Sequence, residues 1–225
     1  IPIIILGILT IKRNKIYQNP LLIWQDVILQ YPNNPRAYNN RGYIYYTQGD
    51  LLRAISDYNK ALQINPNFAI VYHDRGLAYQ DQGNIFQAIS DYNKALQINP
   101  NYDAAYLNRG FAYQNQGNIL QALSDYNKAL QINPNFEEAY YNRGLVYQTR
   151  GNLPQAVSDY NKALQINPNY TIVYNNRGNV YYAKGNLPQA LSDYNKVLQI
   201  NPNYAEAYNN RGNVYYAKGN LPQAL

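Results

Sequence analysis

The chain has 225 residues, of which 46% are hydrophobic and only 14% charged, with a formal net charge of +6. Ordinary globular proteins carry roughly 25% charged residues. Here twenty-seven tyrosines and a surplus of Asn and Gln take that place, which leaves apolar and aromatic area for a packed core and argues against disorder. The absence of cysteine excludes a disulfide framework and thiolate metal sites.

At the N-terminus, Ile1–Ile11 is almost wholly apolar and runs into the basic cluster Lys12, Arg13 and Lys15. Eleven helical residues span roughly 16 Å, about half a bilayer core, so this stretch does not cross a membrane alone. Two readings of residues 1–18 stand side by side. One is the end of a transmembrane helix with the basic cluster at the interface, giving membrane attachment through the residues before Ile11; the other is the first helix of a degenerate capping repeat packed against Tyr38. A secretory signal fits neither flank, for want of a basic leading region and a small-residue cleavage site. Residues 19–34 read as the second helix of a degenerate repeat, opened by Asn19-Pro20 and carrying Trp24, Val27 and Pro32.

From residue 35 the chain keeps a 34-residue clock. Tyrosine stands at 38, 72, 106, 140, 174 and 208, Arg-Gly at 41, 75, 109, 143, 177 and 211, and proline at 66, 100, 134, 168 and 202. Five full repeats occupy residues 35–204 (35–68, 69–102, 103–136, 137–170, 171–204), and a sixth, 205–225, breaks off inside its second helix. With that break and no methionine, the sequence is expected to be a piece of a longer chain. Each repeat holds two helical patterns. Tyr106, Gly110 and Tyr113 line one face at spacings of four and three, and Ala122, Tyr126, Ala129 and Leu130 line a second. Gly-Asn ends the first helix, since glycine tolerates left-handed backbone. Pro154, Pro188 and Pro222 fall in the first turn of the second helix, where proline costs no hydrogen bond. Asn-Pro-Asn ends it, because the residue before proline avoids the α region.

The set Tyr106, Gly110, Tyr113, Ala122, Tyr126, Ala129 and Pro134 resembles the tetratricopeptide repeat (TPR) signature at its own length. The resemblance implies an all-α fold, a right-handed superhelical solenoid of antiparallel helix pairs in which each pair covers its neighbour's apolar face. Counting residue 35 as the first place, Gly at the eighth and Ala at the twentieth let helices approach, and Tyr at the fourth, eleventh and twenty-fourth fill the space. One departure stands out. The seventh place is Arg41, Arg75, Arg109, Arg143, Arg177 and Arg211, while the twenty-third is Asp57, Asp91, Asp125, Asp159 and Asp193. An arginine on a buried side needs a paired carboxylate, so an Arg–Asp ladder is expected. With one further Lys per repeat the basicity is a by-product of the architecture, and no nucleic-acid partner is expected.

Catalysis is not expected in this segment. His73 is the single histidine and reads as a surface residue; no metal spacing, cofactor motif or nucleophile motif appears. What remains is binding. The TPR resemblance implies that first helices line a concave groove through their second, fifth, sixth, ninth, twelfth and thirteenth places. The sixth is Asn40, Asp74, Asn108, Asn142, Asn176 and Asn210, and an amide both donates and accepts, as an extended peptide backbone requires. This row is similar to the asparagine ladder of the O-GlcNAc transferase repeats, with Asp74 as an interruption. Around it lie Tyr43, Tyr46, His73, Leu77, Leu107, Phe111, Tyr141, Leu145, Tyr182 and Tyr216. The alternative is that each Asn braces the neighbouring repeat. A chaperone-tail clamp is absent, because the fifth places (Asn39, His73, Leu107, Tyr141, Asn175, Asn209) include no lysine.

The expected function is therefore a protein-interaction scaffold for a protein or extended peptide. A second resemblance adds an alternative. The run L-x-I-W-Q-D-V-I-x-x-Y-P-x-N-x-R-A-Y-N-N-R-G after an apolar helix and a basic turn is similar to the junction in polytopic membrane glycosyltransferases of the O-mannosyltransferase type, which carry C-terminal TPR arrays. It implies a tail that presents acceptor protein to a membrane-embedded transferase. That family would place the repeats outside the cytoplasm; Lys12, Arg13 and Lys15 read by the positive-inside rule would place them within it. A soluble cytoplasmic adaptor is the other location.

Overall fold

A computed structural model describes residues 19–220 and Pro222. Residues 1–18, on which the membrane-tail and capping-helix readings fall, lie outside the described residues. The described residues form twelve α-helices and no strand: α1 Pro20–Gln30, α2 Pro35–Thr47, α3 Leu51–Ile64, α4 Ala69–Asp81, α5 Ile85–Ile98, α6 Asp103–Asn115, α7 Ile119–Ile132, α8 Glu137–Thr149, α9 Leu153–Ile166, α10 Thr171–Ala183, α11 Leu187–Ile200 and α12 Ala205–Ala217. The chain divides into two compact units, residues 1–112 and 113–225, the division falling within α6. Among the described residues no helix is long and apolar enough to cross a membrane.

The turns follow from residue type. After α4, Gly83 takes φ +80°, its N–H donates to the Gln80 carbonyl, and the Asn84 N–H donates to the Tyr79 carbonyl 2.8 Å away. This pair of bonds is the left-handed glycine stop that satisfies carbonyls orphaned at a helix end. After α5, Asn99 is extended (φ −126°, ψ 93°), as a residue before proline prefers, and its Oδ1 accepts from the Asn101 N–H. Both turns are short, so the two helices of a repeat are held side by side. At the start of the chain the caps are side-chain oxygens: Asn19 accepts from the Leu21 N–H, Asn34 from Arg36 and Ala37, and Asp50 from Arg53. Each replaces a missing helical acceptor and is worth about 1 kcal/mol.

In the first unit the core is built on Tyr58 and Tyr92 with Ala54, Ala61, Ala88 and Ala95, all fully buried, and Val71 and Ala105 close it against the next helix. In the second, Tyr160 and Tyr194 serve the same places beside Val173, Val180 and Val214. The twenty-fourth-place rings are inaccessible to water (0–1% exposed), and each contributes roughly 2 kcal/mol by burial. The eighth-place glycine is what admits them. A Cβ on Gly76 would lie 2.6 Å from Tyr92 Cε1, and one on Gly178 would lie 2.7 Å from Tyr194 Cε1.

Burial has a consequence at high pH. Desolvation raises every fully buried phenol, and pushes Tyr102 and Tyr170 up to about 12; burial and its bond to Asp81 do the same for Tyr46. The unfolded chain releases these protons near pH 10. Folding therefore keeps its full stability below about pH 10 and loses it as pH climbs towards 12. A tyrosinate absorbance titration is expected to show the exposed phenols ionising first, then a steep step above about pH 11 coincident with loss of helical circular dichroism.

Candidate functional site

The seventh-place arginines are the most regular polar feature. Arg143 Nε and Nη2 donate to Asp159 Oδ2 and Oδ1 at 2.8 and 2.7 Å, and Nη1 donates to Asn127 Oδ1 at 2.6 Å, in the second helix of the preceding repeat. Arg177 treats Asp193 and Asn161 alike, and Arg75 treats Asp91 and Asn59 alike. Arg41 grips Asp57 through two bonds of 2.7 Å, and Arg109 donates to Asn93. Asp125 also has a polar partner. The fourth-place tyrosine lies under each guanidinium, 5.2–5.8 Å from ring centre to Cζ, a cation–π distance. The arginine thus ties its own repeat's two helices and the previous repeat together. Its pKa is raised further by the adjacent carboxylate, so it is charged at any pH the fold survives.

The sixth-place amides are used in a way the sequence leaves open. Asn108 Nδ2 donates to His73 Nε2 (2.9 Å), Asn176 Nδ2 to the Tyr141 hydroxyl (3.3 Å), and Asn210 Nδ2 to Asn175 Oδ1 (3.1 Å) and Asn179 Oδ1 (3.2 Å). Each therefore reaches the fifth place of the preceding repeat, 35 residues earlier. Asn142 turns back to its own helix and donates to the Glu138 carbonyl. These bonds consume amide nitrogens and leave the Oδ1 atoms of Asn108, Asn142 and Asn176 as acceptors. Asn40 is half-buried. The reading of His73 as a surface residue is corrected: its side chain is buried, Nδ1 lies 3.1 Å from Asp74 Oδ1, and its ring packs against Tyr92 and Tyr102. The two ring nitrogens thus face the Asp74 carboxylate and the Asn108 amide. The fifth place is the anchor of the lock between repeats, which no count of surface positions reveals.

The buried tyrosine hydroxyls have their own partners. Tyr92, Tyr126 and Tyr160 donate to the twelfth-place Gln80, Gln114 and Gln148, and Tyr194 donates to Asn179. In the first repeat the twelfth place is Tyr46, and Tyr58 Oη is buried with no hydrogen-bond partner. Removing a paired hydroxyl costs about 1 kcal/mol, whereas removing an orphan relieves a desolvation penalty. Tyr160→Phe is therefore expected to lower the urea midpoint, and Tyr58→Phe to leave it unchanged or raise it.

Large apolar side chains remain in water on the first helices. In the first unit these are Tyr43 (54% exposed), Ile70 (43%) and Phe111 (37%), with Leu77 half-buried. In the second they are Tyr182 (40%), Tyr208 (48%) and Tyr216 (69%), with Leu145 half-buried. Sixth, ninth and thirteenth places share one helix face by their spacing, so Tyr43 and Phe111 stand beside the sixth-place side chains of their own helices. Among the described residues no group of three His, Asp or Glu side chains is placed to hold a metal ion.

The repeat seen in the fold is also recognised by family. The family model described as "TPR repeat" matches residues 42–83, 80–117, 115–151 and 178–219, and models described as "Tetratricopeptide repeat" match 137–170, 23–56 and 159–192. The chain belongs to the tetratricopeptide repeat family. Solved structures agree on the TPR fold. PilF of Pseudomonas aeruginosa is 22% identical over 84% of this chain and 86% of its own, with a TM-score of 0.78. YrrB, described as a TPR protein with an unusual peptide-binding site, is 23% identical over 87% and 97%, TM-score 0.65. A TPR protein from Parabacteroides merdae is 26% identical over 89% and 80%, TM-score 0.69. Comparison with curated protein sequences gives no match.

Proposed function

We propose that the first-helix faces of this TPR array dock an extended segment of a partner protein. TPR folds are typical of protein-interaction scaffolds, and TPR domains are generally non-catalytic. The observation that carries the reading is the exposure of Tyr43 and Phe111 in one unit and Tyr182 and Tyr216 in the other, on the helices that also present the sixth-place amides. Aromatic residues are enriched at protein interfaces, which is the use these rings fit beside the sixth-place amides. The sixth-place nitrogens brace the repeats, so the face offers the segment's backbone N–H groups amide oxygens, with ring surface for its side chains. YrrB's unusual peptide-binding site gives a related fold the same kind of task. The test is to pan a phage-displayed random peptide library on the chain and assay recovered peptides against Tyr43→Ser with Phe111→Ser, and Tyr182→Ser with Tyr216→Ser. Recovered peptides are expected to lose affinity on one of these pairs while the helical content is unchanged.

A second reading, the tail of a membrane-embedded protein glycosyltransferase that recruits acceptor protein, rests on the junction at Leu21–Gly42 and uses the same faces. Fractionation of the native protein separates the two: recovery with alkali-washed membranes favours the transferase tail, recovery in the soluble fraction favours the adaptor.

A further inference from the structure

The first helices spend amide nitrogens and leave oxygens over; the second helices of the second unit do the reverse. Two clefts in this unit show it. Tyr140, Lys162 and Gln165 line one, of about 590 Å³. Tyr174, Lys196 and Gln199, at the same fourth, twenty-sixth and twenty-ninth places, line the other, of about 540 Å³, where Arg177, Ser192, Asp193 and Asn195 join them.

Lysine has N–H groups alone, so an amide that meets it turns its oxygen inward. Lys162 Nζ donates to Gln165 Oε1 at 3.5 Å, and Lys196 Nζ donates to Gln199 Oε1 at 3.1 Å. Asn195 Oδ1 likewise accepts from Arg211 Nη1. What is left over is the NH2 end of each amide, the remaining ammonium N–H groups and the Ser192 hydroxyl. Carboxylates are withdrawn as well. The helices α7, α9 and α11 carry none besides Asp125, Asp159 and Asp193, and the last two are held by Arg143 and Arg177. Each cleft thus offers donors around one uncompensated positive charge, Lys162 in the first and Lys196 in the second. A single charge matches a carboxylate, whereas a phosphomonoester brings nearly two. The guanidinium fork that would favour phosphate is already spent on Asp193.

We propose that these two clefts receive carboxylate side chains from an acidic segment of a partner protein. The surface is additional to the first-helix docking face and opposite to it in chemistry. Each ion pair is exposed and weak alone, so binding depends on one segment filling both clefts and fades as salt rises. Six extended residues reach roughly 20 Å, about two helix-packing distances, which is the length needed to pass from α9 to α11 across α10.

The test is fluorescence anisotropy of a labelled hexaglutamate peptide with the whole chain, with hexaglutamine and inorganic tripolyphosphate as comparison ligands. Hexaglutamate is expected to bind saturably at low salt, and hexaglutamine not to bind. Lys162→Gln with Lys196→Gln is expected to weaken hexaglutamate by about tenfold, the sum of two exposed ion pairs. Lys184→Gln with Lys218→Gln removes the same charge from exposed positions after α10 and α12, and is expected to change affinity by less than about twofold because solvent screens it. Tyr182→Ser with Tyr216→Ser is expected to leave hexaglutamate binding intact, which separates this surface from the first-helix face. The clefts are overturned if hexaglutamate does not saturate, or if both lysine pairs weaken it equally, since net charge alone would then do the attracting. They are overturned too if tripolyphosphate binds more tightly than hexaglutamate and loses as much in Lys162→Gln with Lys196→Gln.

Discussion

Asp159→Ala is expected to destabilise the second unit by about 3–5 kcal/mol, the cost of stranding one partner of a buried ion pair. Its carboxylate accepts both forks of Arg143 and its side chain is 6% exposed, against 19% for the arginine. Removing it leaves a guanidinium beneath the surface with Asn127 and the Tyr140 ring for company. Arg143→Lys is expected to recover little, since a single ammonium cannot make two parallel bonds to Asp159 and a third to Asn127. The pair replaced together, Arg143→Leu with Asp159→Leu, is expected to cost less than Asp159→Ala alone, because no charge is left unpaired. Asn127→Ala removes an exposed bond and is expected to cost roughly 1 kcal/mol. Urea unfolding of the four variants checks the order. A loss below about 1 kcal/mol in Asp159→Ala would show that the pair is a solvated surface contact.

Gly144→Ala is the second large effect. The added Cβ would sit 2.8 Å from Tyr160 Cε1 and 2.9 Å from Cδ1, and the ring is fully buried with its hydroxyl tied to Gln148. It has nowhere to turn. Overpacking of this kind costs about 1–3 kcal/mol, set against a helix-propensity gain of at most about 1 kcal/mol. Tyr160→Leu in the same chain is expected to absorb part of the clash, so the double variant should be less damaged than the sum of the singles. Gly117→Ala acts through backbone alone: nothing lies within 4 Å of its Cβ, but φ is +78°, and the left-handed region costs roughly 1–2 kcal/mol for alanine. Thermal melts of the three variants separate the two mechanisms, since Tyr160→Leu rescues Gly144→Ala and leaves Gly117→Ala unmoved.

The fold was legible because it is written six times. Helix stops at Gly-Asn and Asn-Pro-Asn recur at one spacing, and the glycines at the eighth and fifteenth places carry distinct duties that the structure separates, a close ring contact at Gly144 and a positive φ at Gly151. The site was less legible, for a physical reason. An amide can point either end at a neighbour, and residue type does not say which; the sequence leaves Asn108 free to face a ligand or His73. His73 reads as surface because Asn108, Tyr92 and Tyr102, which cover it, come from distant points of the chain. The twenty-fifth-place asparagines that receive Arg Nη1 (Asn59, Asn93, Asn127, Asn161 and Asn195) repeat as faithfully as the aspartates, and that recurrence is the signal of their role. The orphaned oxygens of Asn39 and Tyr58 are the reverse case. Residue type does not announce them: Tyr182 holds the same twelfth place as Tyr46, yet in its repeat Tyr194 finds Asn179.

The central claim is that the first helices, with their exposed rings, are the recognition surface. The measurement that tests it most directly is amide and aromatic NMR shift mapping of the whole chain with a peptide recovered from the random library. Docking on the first helices predicts shifts concentrated on α2, α4 and α6 or on α8, α10 and α12, with the Tyr43 and Phe111 or Tyr182 and Tyr216 rings among the largest. Shifts concentrated instead on the second helices, around Lys60, Lys94, Lys162 or Lys196, would contradict it.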